Sequence, residues 1–561
     1  MTRKKQFLAL ILLIAFIMLP NLLLIFVGED SVIASFLKKG VFFMMSLAIV
    51  LFPLSFLKPK YYGWIVLLLF PFILFEASYI FQFKAPTSEE VVATLFLTNL
   101  YESSELIKGN VLLIPVVLVV FISLFWLTFS LKKDFLLTKK QRKLVLLFSV
   151  LILSILYGRN FMVASKLNSN FSETLNTTHF SLSVQLHKIF PLGFFLKMSE
   201  AYDGVQMKKK YKQNVNAFRF KSIKKDTLKD AETYILVVGE TARKHNFSLY
   251  GYDKKTSPNL DTISNVLHFT NVITASNLTS ISIPFILTRS TPKNLHPKFN
   301  EPAVLNAFKE AGFKTYWISN QSTGVGSVFG FYSSLADEYK NTSVSIDVAN
   351  YDETLFPVLE NILNDTTERK KFIVIHTLGS HFRYNYRHPE EFNVFRPSLD
   401  KKLSLENSSS IAKKDELINS YDNSILYTDY VIGCFIKQLK KQKSTSYLYY
   451  ISDHGENLYD DEQEKLMHGY INPTKYEIEI PLILWTSDAY QKNYPQKIEN
   501  LQKNKNAPIS TVNTFHTLLD LSHISYKTEN LTKSFANKNY DAGQNRYFYK
   551  SDKTILKLDN K

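Results

Sequence analysis

Glu240 follows the apolar run Tyr234–Val238 and its Gly239, and Asp453 and His454 follow the run Tyr447–Ser452. Two carboxylates and an imidazole are donor types that hold a borderline divalent cation. Zinc suits them best, and a sulfur-free set also admits manganese. Three protein ligands leave a further position for a nucleophile or a substrate oxygen. An Asp-His pair can instead serve as a helix N-cap, but Asp453-His454-Gly455-Glu456 continues directly from the apolar run. The segment Asn277-Leu278-Thr279-Ser280-Ile281-Ser282-Ile283-Pro284 offers hydroxyls at a helix start. Backbone N–H groups there suit a phosphate, and a bound cation favours the alkoxide of a nucleophile. Helix capping is the other reading of the Thr-Ser pair. His381, in Leu378-Gly379-Ser380-His381, and His468, in Met467-His468-Gly469, are candidate acid–base or phosphate-binding groups.

The elements that must position these groups are legible from residue 228 onward. Short β-rich runs (Tyr234–Val238, Thr315–Ser319, Phe372–His376, Tyr447–Ser452, Pro481–Trp485) alternate with helical patterns at Pro302–Ala311, Glu353–Asn364, Asp415–Lys440 and Thr511–Leu521. Continuous apolar strands alternating with helices predict an α/β domain with a mostly parallel central sheet. Ligands in such sheets bind beyond the carboxyl ends of the strands. Glu240, Asn320, His376 with His381, and Asp453 with His454 all follow strand ends.

The 561 residues exceed one compact core. Cys434 is the sole cysteine, so neither an internal disulfide nor a thiolate metal site is available. Five apolar stretches, Phe7–Val27, Val41–Leu57, Tyr61–Phe83, Val111–Leu131 and Leu144–Tyr157, predict a five-helix transmembrane domain over residues 1–157. The first reads as an uncleaved anchor rather than a signal peptide, because further spans follow and no small-residue cleavage site is evident. Arg3, Lys4, Lys5, Lys58, Lys60, Lys132, Lys133, Lys139, Lys140, Arg142 and Lys143 fall in one set of loops, against Lys38, Lys39, Lys84 and Lys108 in the other. The richer set is cytoplasmic, so the N-terminus is inside and everything beyond Tyr157 lies outside. Asn99, Glu102 and Glu105 then sit in an outer loop near lipid headgroups, and Glu76 lies within a span, where an acid is costly. Residues 158–227 bridge to a catalytic domain at 228–561. The bridge carries an amphipathic stretch, Phe180–Met198, and a basic cluster including Lys208, Lys209, Lys210 and Lys212. The net charge of +16 suits an anionic membrane or phosphate-rich substrates. No nucleic-acid recognition motif accompanies it.

Together these motifs resemble the phosphoethanolamine transferases of the alkaline phosphatase/sulfatase superfamily, the lipid A-modifying group. Val237-Val238-Gly239-Glu240-Thr241-Ala242-Arg243, Thr279 five residues before Pro284, His376-Thr377-Leu378-Gly379-Ser380-His381, Ser452-Asp453-His454-Gly455-Glu456 and His468-Gly469 carry the likeness, in that order. The resemblance implies a bacterial inner-membrane enzyme with a periplasmic catalytic domain. It would move phosphoethanolamine from phosphatidylethanolamine to lipid A, lipopolysaccharide or another envelope glycan. It implies that Glu240, Thr279, Asp453 and His454 hold catalytic zinc, with Thr279 the nucleophile. It also implies that His381 and His468 bind the transferred phosphate or a second zinc. Asn320, His376, Asn99, Glu102 and Glu105 become substrate-side residues.

Two departures bear on the acceptor: the cysteines usual around the family's nucleophile are missing, and no lysine occurs between Asn320 and Tyr339. Rival readings are a lipoteichoic-acid-synthase-like glycerol phosphate transferase and a non-catalytic membrane-anchored binding protein. A sulfatase needs arginine where Ile286 stands.

Overall fold

The computed structural model describes residues 2–27, 36–83, 86–87, 92, 114–167, 171–321, 328–343, 349–401, 409–460, 462, 464–470, 472–550 and 553–558. The chain forms two compact units, Met1–Val205 and Gln206–Lys561. The division falls inside one helix, within the segment expected to bridge. Asn99, Glu102 and Glu105 lie outside the described residues.

The first unit is helical: α1 (Arg3–Ile17), α2 (Leu19–Val27), α3 (Phe36–Leu51), α4 (Pro59–Phe83), α5 (Ile114–Ser130), α6 (Lys139–Leu167), α7 (Phe171–His187) and α8 (Leu192–Ala217), which runs on into the second unit. Its surface is inverted relative to a water-soluble bundle. Leu68, Leu118, Val119, Trp126 and Phe129 are exposed, while Asn21, Ser46, Glu76, Thr128 and Ser149 are buried. Lipid solvates apolar side chains outside, and buried polar groups are favoured where they find partners inside. Three helical stretches, Lys38–Ser55, Pro59–Phe81 and Lys139–Ser165, are long and apolar enough to span a membrane, and the pair α1–α2, bent by 54°, makes a fourth if it is one span. The remaining expected span is observed as the shorter apolar helix Pro115–Ser130. Its first three residues as read from the sequence, 111–113, are outside the described set, so a count of five is not reached there.

Two buried polar locks tie this unit together. The Asn21 amide brackets the Phe190 backbone, donating to its carbonyl (2.8 Å) and accepting from its N–H (2.9 Å). Glu76 in α4 accepts from the Thr87 N–H (3.2 Å) and hydroxyl (2.5 Å), and Lys197 in α8 lies 3.6 Å from it. The intramembrane acid is thus paired rather than isolated.

The second unit is built on a seven-stranded sheet: β1 (Glu232–Gly239), β2 (Val266–His268), β3 (Lys314–Ser319), β4 (Glu338–Asn341), β5 (Lys370–His376), β6 (Thr445–Ser452) and β7 (Leu482–Thr486), in spatial order β2-β7-β6-β1-β5-β3-β4. The expectation was a mostly parallel sheet; the sheet is mixed. β6, β1, β5, β3 and β4 run parallel, while β7 pairs antiparallel with both β6 and β2. The apolar runs indicate burial on both faces, which is common to either direction, so they do not encode the polarity of β7. β2 and β4 lack a sequence signal because they are short and lie at the edges.

Strand residues alternate between two cores. Tyr234, Leu236, Val238, Phe372, Val374 and Tyr449 pack on Phe308, Phe515 and Leu518. Ile235, Val237, Ile373, Ile375, Leu448 and Tyr450 pack on Leu359 of α10 (Phe356–Asn364) and on Ile432 and Phe435 of α11 (Lys414–Lys441). Register brings Gly239 opposite Ser452, and His376 opposite both Val238 and Ser319. Four strand ends therefore meet at one edge.

Phe308 and Phe372 stack face to face with ring centroids 3.7 Å apart, between helix and sheet. Phe372→Ala is expected to cost about 3–5 kcal/mol, read as a fall in the thermal unfolding midpoint of the full chain.

Candidate active site

At the carboxyl edge of β1 the backbone turns sharply. Thr241 has φ +61°, an uncommon conformation for a β-branched residue. It is held there because its N–H donates to Asp453 Oδ1 (3.0 Å) and its carbonyl accepts from the Tyr421 hydroxyl (2.8 Å). Strain that surrounding bonds over-determine in this way is characteristic of functional sites. The turn leaves Glu240, Asp453 and His454 buried together, each within 1% of full burial, with one ligand atom from each inside a 4.8 Å cluster.

The details fit a cation. His454 Nδ1 is 2.9 Å from the Gly455 carbonyl, which can only accept, so Nδ1 carries a hydrogen and Nε2 is the ring atom turned to the cluster; burial works against the charged ring, but the Asp453 and Glu240 carboxylates outweigh it and raise the His454 imidazole. That Nε2 lies 3.3 Å from Asp453 Oδ2 and 3.6 Å from Glu240 Oε1. Among the described residues Asp453 Oδ2 has no hydrogen-bond donor, although the side chain is fully buried. Burial, with Glu240 adding repulsion, pushes the Asp453 carboxyl up to about 7. Burial works against ionised Glu240 too, but the neighbouring histidines and Gln321 outweigh it and hold Glu240 well below the usual carboxylate range. A buried pair of carboxylates sharing one imidazole is short of positive charge, which a divalent cation would supply. A second donor group, His454, Glu456 and His468, shares the same imidazole.

Thr279 opens α9 (Thr279–Leu287) and stands over this cluster. Its Oγ1 is 2.9 Å from His454 Nε2 and 3.2 Å from Glu240 Oε1. Thr279 is half-buried, unlike the three groups beneath it, so substrate can reach it. The placement is enforced one turn further on: Ser282 Oγ donates to the Asp453 carbonyl (2.6 Å), as does Thr274 Oγ1 (2.6 Å). The structure thus brings Glu240, Thr279, Asp453 and His454 into contact.

His468 is half-buried, its ring 3.9 Å from that of His454, with Nδ1 3.0 Å from Glu456 Oε2. Burial lowers the His468 imidazole to about 3 and raises the Glu456 carboxyl to about 8. His381 is also half-buried and donates from Nδ1 to its neighbour's carbonyl, Phe382 O (2.7 Å), leaving Nε2 as an acceptor. Its pKa is lowered by burial despite the pull of Glu240. His376, by contrast, is fully buried, 3.2 Å from Ser319 Oγ. Asn320 is buried as well: its amide nitrogen donates to Asp352 (2.9 Å) and its oxygen accepts from Asn350 (2.6 Å). Its polar atoms are directed into that network, and it is the next residue that reaches the cluster. Gln321 Nε2 donates to Glu240 Oε2 (2.9 Å) and to the Thr377 carbonyl (2.8 Å).

Several positioning groups escape a sequence reading because their partners are remote in the chain. Asp352 accepts from the Leu378 (2.8 Å) and Gly379 (2.9 Å) N–H groups and so shapes the loop carrying His381. Gly379 has φ +54°, and a Cβ there would come within 2.8 Å of the Glu240 carbonyl oxygen, so only glycine fits without displacement. Glu477 bonds the Asn277 amide and the Gly469 N–H, linking the Thr279 and His468 loops. Gly379 alone had a usable sequence signal, the Gly-Ser-His run.

The sulfatase family model matches residues 232–524, which include every residue of this cluster. The phosphoethanolamine transferase EptC of Escherichia coli (strain K12) is 32% identical over 328 residues, covering 57% of this chain and 56% of that protein; the chain thus spans about half the length of the curated relatives it matches. The zinc complex of the C-terminal periplasmic domain of the E. coli EptC superposes with a TM-score of 0.54 at 31% identity, covering 60% of this chain and 94% of that one. The integral membrane lipooligosaccharide phosphoethanolamine transferase A of Neisseria meningitidis shares the fold at a TM-score of 0.50 and 21% identity, over 93% of this chain and 97% of its own. The family model spans just over half of the chain and takes in the whole donor cluster with Thr279: the chain belongs to the sulfatase family.

Proposed function

We propose that this protein is an inner-membrane enzyme that transfers phosphoethanolamine from phosphatidylethanolamine to an envelope glycan, lipid A or lipopolysaccharide foremost. Its catalytic domain would face the periplasm. The observation that carries the reading is the Thr279 hydroxyl, reachable by substrate and within hydrogen-bond distance of both Glu240 and His454. The likeness to named transferases supports the group transferred.

Glu240, Asp453 and His454, with Thr279, would hold zinc; His454 Nε2, which gives up its proton to bind a metal, and Asp453 Oδ2, without a donor among the described residues, are suited to it. Zinc is the ion in a relative's solved domain, and nothing comparable favours manganese. Bound there, zinc would lower the pKa of the Thr279 hydroxyl and offset the negative charge of the phosphate oxygens.

The chain's own groups do the rest. Ser282 and Thr274 pin the Asp453 carbonyl, which keeps Thr279 at the head of α9 with backbone N–H groups facing a phosphate. Thr279 Oγ1 attacks phosphorus; the Oγ1–P bond forms as the bond from phosphorus to the diacylglycerol oxygen breaks, and that oxygen leaves with a proton. His381 and His468 stand on the half-buried rim; burial lowers both imidazoles, which suits them to hold the transferred phosphate group or a second zinc, and proton transfer at either would need its pKa raised by the bound phosphate. An acceptor oxygen then displaces Thr279 from the phosphoethanolamine ester in a second in-line step. The apolar helices of the first unit keep the enzyme in the layer that contains its lipid donor, raising the donor's local concentration.

Thr279→Ala should abolish headgroup release from labelled phosphatidylethanolamine while zinc content stays near wild type; full activity in this variant defeats the nucleophile assignment. The wild type should spare labelled phosphatidylglycerol, and preferential use of that lipid would move the protein to the glycerol phosphate transferases. Chelation followed by dialysis should remove activity, and zinc should restore it. Asp453→Asn should reduce bound zinc by at least about tenfold in affinity, since a ligand carboxylate is lost.

A further inference from the structure

Beyond the main sheet the chain forms an antiparallel hairpin, β8 (Arg546–Tyr549) and β9 (Ile555–Leu558). Its register puts Phe548 with Leu556 and Arg546 with Leu558 on one face, and Tyr547 with Lys557 and Tyr549 with Ile555 on the other. The first face is covered: Phe548, Leu556 and Leu558 pack on Ile273 and Ile478, and Arg546 donates to the Asn271 side chain (2.7 Å). On the second face Tyr549 leans on Phe285 of α9, with ring centroids 6.5 Å apart. The rest of that face is open: Ile555 is 45% exposed, Lys557 is exposed and Tyr547 is half-buried. A hairpin packed on one side carries polar residues on the other when water is its neighbour. Ile555 breaks that rule, and Tyr547 and Lys557 each join an apolar body to a polar tip.

The hairpin is fastened to the rim of the active site. The Tyr549 N–H donates to the Ala275 carbonyl (2.7 Å), on the loop that leads to Thr279. The Lys550 ammonium reaches Asn472 Oδ1 (3.4 Å), on the loop that carries His468. The charge of this corner is one-sided. The Lys293 ammonium sits 3.8 Å from the centroid of the Tyr547 ring. Its hydrogen bond to the phenol, with the charge of Lys557 behind it, holds Tyr547 below the ordinary phenol range, and the groups acting most strongly on that phenol include no carboxylate. Lys293 and Lys553 are exposed. From Lys550 to the end, the sequence sets Lys550, Lys553, Lys557 and Lys561 against Asp552 and Asp559.

A protein partner fits this face poorly. Among the described residues Ile555 is its one large exposed apolar side chain, and a stable protein interface is built on a well-packed apolar centre. A phosphate-rich lipid layer asks for less: cations for the headgroups, and a few amphipathic side chains that reach the acyl boundary. Helices long and apolar enough to span a membrane already put a bilayer beside the chain. We propose that the open face of this hairpin docks on the anionic phospholipid headgroups of that bilayer, with Lys293 and Lys557 at the phosphates and Ile555 beneath them. Through Ala275 and Asn472 the contact holds the rim of the site at the lipid surface. It does not depend on which group the enzyme transfers.

The test uses the full chain with Cys434→Ser and Ile555→Cys, carrying a nitrobenzoxadiazole label at 555, in nanodiscs of phosphatidylglycerol with phosphatidylcholine. A trace of lipid bearing a headgroup nitroxide is the quencher. The label at 555 should be quenched in these discs, and far less in phosphatidylcholine alone or at high salt. The same label at Lys441→Cys, at the end of α11, should stay bright. Lys293→Gln and Lys557→Gln should each lower the docked-to-free ratio about fivefold, as expected for one cation at an anionic leaflet. Thr279→Ala should dock as the wild type does, so the transferase reading and this one fail separately. In the unlabelled chain, tryptic cleavage after Lys553 should slow in the anionic discs, a readout that survives if the label disturbs the hairpin. Quenching at 555 no greater than at 441, equal quenching in neutral discs, no change in either lysine variant, quenching that needs added lipopolysaccharide, or unaltered cleavage after Lys553 overturns the proposal.

Discussion

Negative charge held out of water has to be balanced, and at the carboxyl edge of this sheet three side chains create that demand. Glu240, Asp453 and His454 are brought from strand ends more than two hundred residues apart in the chain into a cluster whose ligand atoms lie within 4.8 Å. One carboxylate oxygen has no donor among the described residues, and the imidazole, tied by Nδ1 to the Gly455 carbonyl, turns Nε2 to the others. Such a group would be unfavourable as a structural core, because it is charge-rich, dry and incompletely bonded. It becomes sensible as a seat for a divalent cation. The left-handed Thr241, the glycine-only position 379 and the buried Asp352 all hold backbone close to this seat.

The nucleophile assignment depends on that seat. Thr279 lies at a helix start where capping alone would explain a hydroxyl. What separates it from an ordinary capping threonine is its Oγ1 above His454 and Glu240, together with Ser282 one turn later holding the Asp453 carbonyl. The same helix thus anchors itself on the metal-type cluster and directs its first hydroxyl at it. His468 and His381 line the rim on separate loops, and Glu477 and Asp352 fix those loops from behind. Polar groups that touch no substrate therefore set the geometry of those that would.

The membrane-type unit obeys the opposite solvent rule with the same physics. Many of its apolar side chains face outward, and several buried polar ones pair inside, as with Asn21 on the Phe190 backbone and Glu76 with Thr87 and Lys197. Hydropathy identified the apolar stretches and flagged Glu76 as unusual. It had no means of naming Lys197, over a hundred residues away, as the partner.

Local signals in the sequence determined a good deal: the apolar helices, the strands at 232–239, 314–319, 370–376, 445–452 and 482–486 to within a few residues, and the residue types Glu240, Thr279, Asp453 and His454, since burial and strand-end position leave marks along the chain. Tertiary structure alone decided the antiparallel setting of β7, because buried strands read alike in either direction. It decided that Gln321, which no sequence signal marked, reaches Glu240, while Asn320 bonds Asp352. Side-chain pairing across long chain separations is a property of packing, and no periodicity records it.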